Sequence, residues 1–167
     1  MTSQQKTSMV KTPVFLLLIL SISLFTGNGC RKTEIKELYH RFPEKVWARF
    51  NILSFEIPVN ETARPYNIYM FGCFSRDFKY ETLDFNMIMN TSAGEERTHV
   101  YQMEVKSKSG TFLGECNNDT CRGTIMLKKE LRLAKPGILK IEIENLIPRL
   151  ITEGVLGVGI RMVPSGK

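Results

Sequence analysis

From Phe50 onward, apolar and polar positions alternate in short runs with a period of two, the signature of strands buried on one face. Phe50 to Val59 (FNILSFEIPV) sets Phe55, Ile57 and Val59 against Ser54, Glu56 and Pro58. Pro58 marks an edge or a strand end, because proline cannot donate to a ladder. Tyr66 to Phe74 (YNIYMFGCF) is apolar on nearly both faces, which suits a strand in the middle of a sandwich. Leu83, Phe85, Met87 and Met89 alternate with Asp84, Asn86, Ile88 and Asn90, and after a loop at Thr91 to Arg97 the same rhythm returns in His99, Tyr101, Met103 and Val105.

Ser107 to Gly110 turns the chain, Thr111 to Leu113 predicts a short strand, and Thr124 to Leu127 opens another. Lys128 to Leu133 (KKELRL) suits either strand or a helical turn. Pro136-Gly137 is a strong turn signal before Ile138 to Glu144, whereas Leu146 to Thr152, interrupted by Pro148, has no clear period. Val155 to Val163 closes the chain, its Gly157 and Gly159 permitting close backbone approach. About eight short strands with turn signals between them, and no long segment of period 3.6, predict an all-β fold with little helix. The expected architecture is an antiparallel β-sandwich of jelly-roll-like type.

The first 29 residues follow a different pattern. Lys6 and Lys11 precede an apolar run, Val14 to Phe25, and small residues lead to Gly29 and Cys30. A positive start, an apolar core of about a dozen residues and small residues before a cleavage point make an export signal. The core is shorter than the roughly 20 apolar residues of a membrane span. Cys30 then becomes the first mature residue and a lipidation site, where dual acylation gives stable anchoring. Gly27 occupies a place where lipoprotein signals usually hold an aliphatic residue. An ordinary secretory signal with a chance cysteine, or an uncut anchor helix, are the alternatives. The expected organisation is a signal peptide over 1–29, lipidated cysteine and tether over 30–36, and one sandwich domain over 37–167.

Charge changes little in this picture. The chain carries +6, and loss of two lysines with the signal leaves about +4, spread among acids. A nucleic-acid partner is not expected, because such binders cluster their basic residues on a recognisable module.

Cys116 and Cys121 bracket the turn-prone Asn117-Asn118-Asp119-Thr120. A disulfide there fits an exported protein and a hairpin neck. It would close a small ring, worth the low end of about 2–4 kcal/mol. A metal site is the weaker alternative, since two thiols without a nearby histidine make half a zinc shell. Cys73, inside an apolar run, reads as a small core residue.

No catalytic constellation is legible. His40 and His99 are far apart in sequence, there is no nucleophile elbow, and no phosphate-binding glycine loop or metal motif is present. Enzymatic activity and a cofactor are therefore not expected. Asp77, Glu81 and Asp84 are too sparse for a calcium loop and read as surface charges. Three N-glycosylation patterns, at Asn60, Asn90 and Asn118, fall in expected loops and carry meaning only in a eukaryotic secreted protein. Aromatic residues, Trp47 and Tyr69 among them, are candidate contacts for a glycan or a partner, against the plainer reading that they fill the core.

The order of features resembles the gliding-motility lipoprotein GldH family of the Bacteroidetes. The resemblance rests on the signal ending at Cys30, Trp47 leading into Phe50 to Val59, and the Tyr66 to Phe74 strand. It extends through Gly110-Thr111-Phe112-Leu113-Gly114, Lys135-Pro136-Gly137 and the terminal Gly154-Val155-Leu156-Gly157-Val158-Gly159-Ile160. It implies an outer-membrane lipoprotein carrying palmitate, a non-enzymatic structural or interaction component of an envelope apparatus with other envelope proteins as partners. The absence of a dense acidic tract after Cys30 points to a periplasm-facing domain. An anchored glycan-binding sandwich is the alternative.

Overall fold

The computed structural model describes residues 35–165, and every regular element among them is a strand. In chain order these are β1 (Lys36–Arg41), β2 (Val46–Ala48), β3 (Leu53–Val59), β4 (Tyr66–Ser75), β5 (Thr82–Asn90), β6 (Glu96–Glu104), β7 (Glu115–Asn117), β8 (Thr120–Leu131), β9 (Gly137–Asn145), β10 (Ile151–Glu153) and β11 (Val155–Pro164). All pairings are antiparallel. A five-stranded sheet runs β1-β11-β4-β8-β7, a four-stranded sheet runs β3-β9-β5-β6, and β10 and β2 form a small ribbon. The all-β sandwich expected from the alternation is the fold observed.

The inner faces come directly from the period of two. Leu53, Phe55, Ile57 and Val59 of β3 are buried, as are Leu83, Phe85, Met87 and Met89 of β5 and Leu139, Ile141 and Ile143 of β9. Opposite them stand Ile68, Met70 and Phe74 of β4 with Val158, Ile160 and Met162 of β11, all in one cluster. Pro58 lies on β3, an edge strand whose one partner is β9, so its missing N–H disrupts no second ladder.

Three differences from the sequence reading have local causes. Thr111 to Leu113 is not a strand: Phe112 makes one isolated bridge with Lys106, between the turn at Gly110 and the start of β7. Lys128 to Leu131 belongs to β8, and its broken alternation is two irregularities in the pairing with β4, where Glu130 takes φ 51°. The Glu130 amide, lost to the ladder there, is caught by the Asn67 side chain at 2.9 Å. The count of eleven exceeds about eight because β2, β7 and β10 have three residues each, too short for a periodic signal, and because β1 (KELYHR) is mostly exposed.

The ribbon is pinned to the sandwich by a buried polar residue. Asn145, fully buried at the end of β9, donates to the Thr152 hydroxyl at 2.8 Å and the Trp47 carbonyl at 3.3 Å, and accepts from the Ile147 amide at 3.0 Å. Thr152→Val keeps the shape but leaves one Asn145 N–H without its acceptor, so a loss of about 1–2 kcal/mol is expected in denaturant unfolding.

Candidate functional site

The register brings together, on the outer face of the five-stranded sheet, residues that are far apart in sequence. Tyr39 of β1 lies opposite Gly159 of β11, which lies opposite Phe71 of β4. Glycine at 157 and 159 leaves the sheet without side chains there, and aromatic rings occupy the space. A Cβ on Gly159 would stand 2.2 Å from the Phe71 ring, and one on Gly157 would stand 2.1 Å from the Tyr39 hydroxyl. Tyr39 and Phe71 stack with centroids 5.8 Å apart. The Arg122 guanidinium lies 3.8 Å from the Phe71 centroid and bonds Glu37 at 3.0 Å, which leaves Phe71 buried although it points away from the core. Arg161 sits 5.2 Å from the Tyr69 ring in the same manner.

At one end of this face a cavity of about 330 Å³ is lined by Tyr39, Arg41, Lys45, Cys73 and Thr120 among others. Tyr39 is 46% exposed, but its hydroxyl end is packed down toward Gly157. Burial, and then the neighbouring Cys73 with which it shares a hydrogen bond, push the Tyr39 phenol up to about 12. Tyr39 is neutral at physiological pH and, with its hydroxyl engaged by Cys73, offers a ring face.

A second surface lies at the end of the sandwich where β3 begins. The amide of Arg49 donates to the Leu150 carbonyl at 3.0 Å, which joins the loop before β3 to the loop before β10, and the amide of Asn51 closes a turn onto the Ala48 carbonyl at 3.0 Å. Phe50, Ile52, Leu150 and Ile151 on these joined segments are 77%, 53%, 74% and 51% exposed. Beneath them Trp47 is fully buried, stacked on Phe42 at 5.7 Å, with its Nε1–H donating to the Asn51 carbonyl at 2.9 Å.

The family model for the GldH lipoprotein matches residues 34–162. The chain belongs to the GldH lipoprotein family. No curated protein matches it. Among solved structures it is similar to AlgX of Pseudomonas aeruginosa at 16% identity and a TM-score of 0.35, over 83% of this chain and 27% of that one. The chain thus spans about a quarter of the length of that solved protein.

As a GldH lipoprotein the protein is lipid-anchored in the cell envelope, in the context of gliding motility. Cys30, its expected acylation site, lies outside the described residues, as does the signal before it. Cys116 and Cys121 are joined by a disulfide, directly opposed in the β7–β8 hairpin with Cα atoms 4.0 Å apart. Cys73 is a free, half-buried thiol on the outer face and not a core residue.

Of the two aromatic contact candidates, the structure separates one from the other. Trp47 has no exposed face to offer a ligand and is a core residue. Tyr69 is half-buried on the outer face under Arg161. Tyr39 joins it there, a residue missed because it sits in a polar strand without rhythm. Phe50 and Leu150 were missed too, although parity signals Phe50: it and Ile52 fall on even positions, opposite to Leu53, Phe55, Ile57 and Val59.

The remaining candidates do not converge. His40 makes an edge contact with Phe42, and His99 makes one with Tyr101 on the other sheet. Asp77 is held below the usual carboxylate range, first by a hydrogen bond from Ser75. Asp84 accepts from Gln102 at 3.0 Å. Among the described residues no three His, Cys, Asp or Glu side chains are grouped to hold a metal.

Proposed function

We propose that this GldH lipoprotein is a non-enzymatic docking component of an envelope apparatus. It is held at the outer membrane by acylated Cys30, and its sandwich faces the periplasm. The observation that carries the docking role is the exposure of Phe50, Ile52, Leu150 and Ile151 on two segments that the Arg49–Leu150 backbone bond joins. A soluble monomer rarely concentrates such residues without a partner. Family membership and the sequence around Cys30 support the anchor.

The glycan-binding alternative draws on the outer face, where Tyr39 and Tyr69 stand among Arg122 and Arg161. It loses Trp47, whose ring is enclosed, and guanidinium groups already lie against Phe71 and Tyr69. Docking is therefore the preferred reading.

Its test separates anchoring from folding. Cys30→Ser is expected to release the protein from the membrane fraction into the soluble periplasm while the sandwich stays protease-resistant. Gliding complexes recovered by crosslinking should lose the protein in this variant. Continued membrane retention of Cys30→Ser would remove the lipid anchor from the account.

A further inference from the structure

We infer that the apolar end of the sandwich is the docking surface itself, and that it takes a protein partner offering an apolar pocket with an acidic rim. The inference rests on the docking role proposed above and specifies where it is performed and by what chemistry.

Three features of the surface point to this occupant. First, Phe50 and Leu150 are 77% and 74% exposed, so most of each side chain is free to act as a knob in a partner's pocket. Second, the knobs are held in place before any partner arrives. The Arg49–Leu150 backbone bond joins the two loops, the Asn51–Ala48 bond closes a turn within the first, Trp47 bonds Asn51 from below, and the Arg149 amide closes a turn onto the Ile147 carbonyl at 2.7 Å. Ile147 is in turn fixed through Asn145. A surface ordered in advance loses less entropy on binding, so its apolar burial converts more fully into affinity.

Third, the charge on the joined loops has one sign. Arg49 and Arg149 flank the knobs, and no ion pair among the described residues engages either. Acidic groups around the partner's pocket would meet them and set register and encounter rate. The same two arginines oppose pairing of this surface with a second copy of itself.

Photo-crosslinking in the native cell tests this with the lipidated full chain. The probe p-benzoylphenylalanine is placed at Phe50 or Leu150, and at exposed Glu56 and Thr98 on the four-stranded sheet as comparison sites. The expected result is one discrete protein adduct from both Phe50 and Leu150 and none from Glu56 or Thr98. With the probe at Leu150, Arg49→Glu with Arg149→Glu should cut the yield about tenfold at unchanged protein level. An adduct of twice the chain mass would replace the partner with a second copy. Flotation of the Cys30→Ser protein with phosphatidylethanolamine–phosphatidylglycerol vesicles, lost on Phe50→Asp, would replace it with a membrane. A yield indifferent to the arginine reversal would overturn the acidic rim. Adducts from Glu56 or Thr98 alone would overturn this surface while leaving the docking role intact, and no adduct at any site would overturn both.

Discussion

Trp47→Ala is expected to lower stability by about 3–5 kcal/mol, the range for truncating a fully buried large aromatic side chain. The indole is the largest side chain in the core, fully enclosed, and it is stacked on Phe42. Its Nε1–H holds the Asn51 carbonyl at 2.9 Å, and its own carbonyl is an acceptor for Asn145. Truncation leaves a cavity and removes the donor that fixes the loop carrying Phe50 and Ile52. With a total stability of about 5–15 kcal/mol for a domain of this kind, the variant should be marginal. Its urea midpoint should fall steeply, and the docking loop should loosen in hydrogen exchange ahead of the sheets. A sugar-stacking surface tryptophan would behave in the opposite way, with stability changed by less than about 0.5 kcal/mol.

Gly159→Ala should cost about 2–3 kcal/mol, at the upper part of the range for forcing a group into filled space. The new methyl would meet the Phe71 ring at 2.2 Å and the Leu38 carbonyl at 2.5 Å. The ring has little freedom to move, being bounded by Tyr39 and by Arg122. The carbonyl belongs to the backbone of β1, which pairs with β11 at this level. Relief therefore requires β1 to move away from β11, and with it the Tyr39 ring. Gly123→Ala on β8, separated from β11 by β4, is the internal comparison. Its methyl would find Met103 and Phe74 at 3.7 Å, ordinary contact distance, and is expected to change stability by less than about 1 kcal/mol. Thermal unfolding of the two variants side by side decides whether the glycine of β11 is there for the aromatic tile. Equal, small effects would mean that it is not.

The fold was legible where one face of a strand is buried and the other is wet. β3, β5 and β9 show that rule without exception in their buried sets, and β4 shows the doubly apolar pattern of a strand between two others. β1 escaped because KELYHR is an exposed edge, in which Leu38 alone packs against the core from one side. β7 escaped because three residues beside a disulfide carry no rhythm. The aromatic tile was out of reach for a different reason. Tyr39, Gly159 and Phe71 share one row across three strands, and long-range register is not written in any local stretch of sequence. Gly157 and Gly159 announced close approach correctly, and the approaching groups are the carbonyls of His40 and Leu38 together with the Tyr39 and Phe71 rings.

The apolar end was half visible. Phe50 and Ile52 precede β3 and fall on the parity opposite to its buried residues, the mark of a loop with exposed apolar side chains. Leu150 and Ile151 were hidden in a segment with no period, and only their pairing with β2 places them beside Phe50. Cys30 stands apart from all of this, as its meaning depends on processing chemistry and not on folding.

The central claim is a lipid anchor at one end of a docking sandwich, and the mass of the mature amino terminus tests it most directly. Digestion of the native protein and mass spectrometry of its first peptide should yield a chain that begins at Cys30, carries a diacylglyceryl group on sulfur and is acylated at the amino group. An unmodified Cys30, or a peptide that continues upstream through Gly29, would contradict the account.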